Sequence, residues 1–155
     1  MVDELTQRVE NKKVLLLGLG NRLRGDEGLG GFLVNRLRGK VNIPLIDGGN
    51  VPEKYLGLLE ASHPDLVLVA VAADVPGAAP GDITLIDLDQ LQTMKVKTRS
   101  ADLSLLFRFI PQKFRPEVLL IAVQPDNEMQ DRKGVSDSVK VALDGLEVLF
   151  VELFK

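Results

Sequence analysis

From Val14 to Gly30 the chain reads VLLLGLGNRLRGDEGLG, an apolar run that breaks at a glycine turn and then delivers two adjacent carboxylates, Asp26 and Glu27. The run Val14 to Leu17 is aliphatic and lacks polar alternation, the pattern of a parallel strand buried on both faces. Gly18 and Gly20 let the backbone turn at the strand's carboxyl end, and Gly25, Gly28 and Gly30 leave room around the acids. Open α/β sheets place their ligands just beyond that edge, so the two acids stand where such a fold does its chemistry.

The remainder of the chain repeats the alternation of strand-like and helix-like segments. A helix is expected from near Glu27 through Leu37, with Phe32, Leu33, Val34 and Leu37 on its buried face and Asp26 as its N-cap. A second strand, Ile43 to Ile46, runs into Asp47-Gly48-Gly49-Asn50, followed by a helix from about Pro52 to Ala61. The third strand is Leu66 to Val71, and the Ala-, Pro- and Gly-rich stretch Ala72 to Gly81 reads as a surface loop. Ile83 to Ile86 suits an edge strand, Asp87 to Gln92 a short helical turn, and Ala101 to Phe109 a helix closed by Pro111. Val118 to Val123 is the last buried strand. A final helix capped by Ser136 carries Val139, Leu143, Leu146, Leu149 and Leu153 on one stripe. The expected architecture is a single domain over residues 1–155, a three-layer α/β/α sandwich with a mainly parallel five-stranded sheet and about four helices. The apolar tail Leu149 to Phe154 covers either the sheet or a neighbouring molecule.

Composition narrows the function. Nineteen basic residues against 22 acidic ones give a net charge of −3, which supplies no global attraction for nucleic acid or an anionic membrane. Cysteine is absent, excluding disulfides, thiolate metal sites and a cysteine nucleophile. No apolar run approaches the roughly 20 residues of a membrane span. The expectation is a soluble cytoplasmic protein whose partner is a protein or a small molecule.

Three chemistries compete for the glycine turn. A dinucleotide loop needs a third glycine where Leu23 stands, and a P-loop needs a Gly-Lys-Ser/Thr close that is missing, while Asp26 and Glu27 repel phosphate. Asp47, ending the second strand, occupies the place of a ribose-binding acid and keeps a nucleotide-binding regulatory module as an alternative. A cation site at Glu27 is the second possibility, set against a plain helix start in which Asp26 caps and Glu27 complements the dipole. A purely structural interaction protein is the third. The sole histidine, His63, falls between a helix end and the third strand, at the opposite edge of the sheet, and reads as a helix C-terminal residue rather than a ligand.

The whole pattern resembles the N-terminal signature of the nickel-iron hydrogenase maturation endopeptidases, G-x-G-N-x-L-x-x-D-[DE]-G-x-G, matched here by Gly18, Gly20, Asn21, Leu23, Asp26, Glu27, Gly28 and Gly30. Asp47-Gly48-Gly49, Pro80-Gly81-Asp82-Ile83 and Val123-Gln124-Pro125 agree in order and spacing. The resemblance implies an α/β/α fold and removal of a C-terminal extension from a hydrogenase large subunit once nickel is inserted. It implies that nickel, carried by the substrate, is recognised by the second acid of the pair (Glu27), by an Asp ending the third strand, and by a His before the helix that follows the fourth. Asp26 and Glu27 are then the expected catalytic pair and Glu27 the expected metal ligand. Counting along the chain, the other two positions hold Val71 and Arg99, which have no donor for a cation. Asp74 is the substitute ligand if its loop folds back. Arg99, if placed near Glu27, pairs with it and supplies a fixed positive charge; the alternative is a solvated arginine at a helix start. The implied function is therefore either cleavage with impaired metal recognition or a non-proteolytic chaperone or checkpoint that binds a hydrogenase subunit.

Overall fold

The structure is a computed structural model that describes residues 1–49, 56–99, 103–108, 112–129 and 134–155. Its elements in order are α1 (Val2–Val9), β1 (Val14–Leu19), α2 (Leu29–Leu37), β2 (Leu45–Gly49), α3 (Leu56–Ser62), β3 (Leu66–Asp74), β4 (Ile83–Asp87), β5 (Lys97–Thr98), α4 (Leu103–Arg108), β6 (Glu117–Val123) and α5 (Asp137–Leu153). Short 3-10 turns span Gly25–Gly28 and Asn127–Met129. The main sheet runs β2-β1-β3-β6-β4. The first four of these strands are mutually parallel, and β4 pairs antiparallel with β6.

The uniform apolar runs are buried on both faces because successive residues feed opposite layers. Val14, Leu16, Leu66, Leu68, Ala70, Leu119 and Ile121 pack with Leu5 of α1, with Leu29, Leu33 and Leu37 of α2, and with Leu143, Leu146 and Phe150 of α5. Leu15, Leu17, Val67, Val69, Val71 and Leu120 instead join Leu59 of α3 and Leu103 and Phe107 of α4. Each such Val, Leu, Ile or Phe side chain contributes about 1.5–3 kcal/mol on full burial. The expected α/β/α sandwich is thus observed, with the two-residue β5 as a sixth strand.

Two strand bounds are corrected, and the two termini find their places. The third strand does not stop at Val71. Ala72 pairs with Val123, and Ala73 and Asp74 pair antiparallel with Thr98 and Lys97, so the strand reaches Asp74. The second strand is Leu45–Gly49 rather than Ile43 to Ile46, because β1 pairs with Leu45 through Gly49. The charged N-terminus forms α1, anchored by fully buried Leu5 and by Arg8, whose guanidinium reaches Asp87 on β4 at 2.7 Å and Glu117 on β6 at 2.6 Å. The C-terminal tail covers its own molecule. Phe150 and Phe154 meet edge to face at 5.5 Å inside the core, and the Asn42 N–H donates to the Phe154 carbonyl at 2.7 Å. The expected helix starts at Pro52 and Ala101, and the close at Pro111, lie outside the described residues.

Candidate functional site

The carboxyl ends of β1, β3 and β6 converge on one edge of the sheet, and the loops leaving them carry the acids singled out in the sequence. Gly20 leaves β1 at φ +119°, and a Cβ there would lie 1.7 Å from the Glu27 carbonyl oxygen, so only glycine brings the 3-10 turn this close to the strand. That turn carries Asp26 and Glu27 as neighbours with opposite fates.

Asp26 is 2% exposed and does not cap α2, whose N-cap is Gly28 with no side-chain bond. Its Oδ1 accepts from the Ser136 backbone N–H at 2.7 Å, and its Oδ2 accepts from the Ser136 hydroxyl and from the Asp126 N–H, both at 2.8 Å. Local capping loses to donors 100 and 110 residues away, because three charge-assisted bonds in a dry setting outweigh one solvated cap. Ser136 caps α5 as expected, accepting from the Val139 N–H. Asp26 therefore ties the turn after β1 to the start of α5 and to the loop after β6.

Glu27 lies between two arginines, with Arg24 Nε and Arg99 Nη1 each 3.5 Å from its carboxylate. Arg99 grips Asp74 more tightly: Nε donates to Oδ2 at 2.7 Å and Nη2 to Oδ1 at 2.9 Å, the bidentate fork that a planar guanidinium forms with a carboxylate. Arg99 also donates to the Asn127 side-chain oxygen, and its backbone N–H donates to the Ala72 carbonyl at 2.8 Å. Gln124, buried at the end of β6, steadies the arrangement. Its amide oxygen accepts from the Val75 N–H at 2.8 Å and its amide nitrogen donates to Asp74 Oδ1 at 3.2 Å. Glu27, Asp74 and Arg99 thus meet through Arg99; the Glu27 to Arg99 pairing is the one the sequence offered, and the grip on Asp74 is new. Gln124 and Asn127 had no signal as site residues, although Gln124 belongs to the Val-Gln-Pro block.

Val71 and Asp74 occupy different surroundings. Val71 is fully buried among Val69, Ala73 and Ala122 and has no access to the edge, whereas Asp74 stands at the strand end facing Arg99. His63 follows α3 at φ +44°, before β3 begins and so at the opposite end of that strand. Among the described residues no three of His, Cys, Asp and Glu form a metal-holding group. Two of the loop amides already have partners within the chain. The Gly20 N–H donates to the Gly49 carbonyl and the Leu23 N–H to Asn21 Oδ1, both at 2.9 Å. Asp47 accepts from the Gly49 N–H and pairs with Arg22 at 3.1 Å, which occupies the acid that a ribose would need.

The Arg99 guanidinium holds the Asp74 carboxyl below the ordinary aspartate range, burial opposes this and Gln124 assists. A carboxyl depressed in the folded state contributes stability that is fully present above its unfolded value, about 4, and is lost as pH falls through the folded value. Asp74→Asn is therefore expected to lose less stability than the unmodified chain between neutral pH and about pH 3. Denaturant titrations at both ends check this, and parallel losses in the two proteins would contradict it.

An α/β/α sandwich with a carboxylate cluster at the carboxyl edge of its sheet defines a class, and comparison supplies the family. The hydrogenase maturation protease family model, HycI, matches residues 32–152. The hydrogenase 3 maturation protease of Escherichia coli K12 is 32% identical over 115 residues, covering 72% of each chain. The crystal structure of the [NiFe] hydrogenase maturation protease HycI from Thermococcus kodakarensis KOD1 superposes with a TM-score of 0.82 at 26% identity, covering 97% of both chains. The solution structure of the E. coli endopeptidase HycI gives 0.74 at 26% identity over 90% of each chain. The chain belongs to the hydrogenase maturation protease family.

Proposed function

We propose that this chain binds the large-subunit precursor of a nickel-iron hydrogenase at its C-terminal region and that its site works around a resident guanidinium instead of the substrate's nickel. The observation that carries the reading is the bidentate Arg99 to Asp74 pair with Glu27 alongside. The two carboxylates a cation would need already share a fixed positive charge, and a guanidinium does not coordinate metal. The donor set therefore does not fit three-point recognition of nickel. Without that recognition, a metal held at this site is not available to polarise a water for hydrolysis. Docking remains, which makes the chain a checkpoint or chaperone for the precursor with impaired cleavage.

The test measures binding and cleavage separately on nickel-loaded precursor. Saturable binding with little loss of the C-terminal extension is expected. Efficient removal of the extension that disappears in Glu27→Gln would overturn the impaired reading, and failure to bind would overturn the choice of partner.

A further inference from the structure

The geometry points to the loop Asn21 to Arg24 as the docking element for a segment of the precursor that presents an apolar notch flanked by carboxylates, an inference that rests on the partner proposed above. Leu23 is 87% exposed, the most exposed large apolar side chain among the described residues, and it adjoins Arg24, which reaches Glu27. A leucine in water on a mobile tip would mean little, but this loop is held. Leu23 and Arg24 donate their backbone N–H groups to Asn21, at 2.9 Å to its side chain and 3.0 Å to its carbonyl. The loop also lies against Gly28 so closely that a Cβ there would come within 2.5 Å of the Arg22 Cα. The fold therefore fixes an apolar side chain outside its own core.

The flanking residues define what it meets. The side chains of Arg22 and Arg24 are 48% and 51% exposed, and each reaches inward to a carboxylate that is mostly covered, Asp47 at 20% and Glu27 at 16%. The outer surface of the loop is thus a leucine between two half-exposed cations, continuous with the Glu27 site. Its complement is an apolar pocket with acidic neighbours, where the leucine supplies contact area and the arginines supply orientation and encounter rate.

The experiment measures the Kd for nickel-loaded large-subunit precursor with the unmodified chain and with Leu23→Ala, Leu23→Asp, Leu23→Lys and the distant exposed control Val148→Asp. Leu23→Ala is expected to weaken binding roughly tenfold, the scale of one lost leucine contact. Leu23→Asp should weaken it further, by repelling the partner's acids and pairing with the arginines. Leu23→Lys should weaken it less than Leu23→Asp, with the gap closing as salt rises. Val148→Asp should leave it unchanged. Unaltered affinity in Leu23→Ala and Leu23→Asp, or equal losses in Leu23→Asp and Leu23→Lys at low salt, overturns the docking loop alone. Absence of binding by the unmodified chain overturns the partner itself and the docking loop with it.

Discussion

Asp26→Ala is expected to destabilise the chain by about 3–5 kcal/mol, the cost of leaving buried donors without their charged partner. The three groups orphaned are the Ser136 N–H, the Ser136 hydroxyl and the Asp126 N–H. At this chain length the loss corresponds to a fall in Tm of roughly 6–20 °C. Asp26→Asn separates hydrogen bonding from cavity formation. It keeps the shape, but it offers one oxygen where two now accept, and it turns an amide N–H2 toward a donor less than 3 Å away. A loss of about 2–4 kcal/mol is expected from the isostere as well. Calorimetry or denaturant melts decide it, and an Asp26→Asn protein within about 0.5 kcal/mol of the parent would mean that the knot is unimportant. The damage should also reach the site. Asp126 is the neighbour of Asn127, which holds Arg99, so loosening the knot relaxes the guanidinium that grips Asp74. Asp26 is on this reading a positioning residue rather than a catalytic one.

What was legible in the chain follows the range of the forces involved. The buried strands could be read because a strand covered on both faces needs an unbroken apolar run, and β1, β3 and β6 supply one apart from the terminal Asp74 and Glu117. The end of β3 could not. Ala72-Ala73-Asp74 borders a Pro- and Gly-rich stretch, and only pairing with Val123 and with Lys97-Thr98 keeps it extended. The same non-local pairing makes Asp74, and not Val71, the residue that ends β3. Asp26 illustrates a second limit. Next to a helix start an aspartate signals a cap, and nothing local reveals that Ser136 and Asp126 will arrive with three donors. The α1 helix was missed for a third reason: with Leu5 as its one buried residue, its apolar stripe is too thin to stand out. The meeting of Arg99 with Glu27 was legible only through the family resemblance, which set Arg99 at the position of the site histidine, since Arg99 follows β5, a strand that pairs antiparallel with β3. The bidentate grip on Asp74 was not, since it depends on the strand extension.

Arg99→His is expected to make this site respond to divalent cations, which the unmodified chain should not do. Removing the guanidinium frees Asp74 Oδ2 and the inner face of Glu27 and leaves Oδ1 with Gln124, and a neutral imidazole adds a nitrogen donor suited to nickel or zinc. Without metal the variant should be less stable by about 1 kcal/mol, a modest loss because Asp74 is partly exposed and solvent screens its pairing. With Ni2+ at about a hundred times its Kd, binding to the folded state alone adds about 2.7 kcal/mol. That raises Tm by roughly 5–10 °C at this chain length. The response should disappear in Arg99→His combined with Asp74→Asn, and it should weaken as pH falls below about 6, where imidazole protonates and ceases to donate. An equal Ni2+ response in the unmodified chain would show that Arg99 yields its place to a cation. The guanidinium would then be a gate and not a substitute for the metal. If the Arg99→His protein gains no Ni2+ response, Glu27 and Asp74 do not converge on a common point, and the cluster is a structural clasp between β3 and the turn after β1.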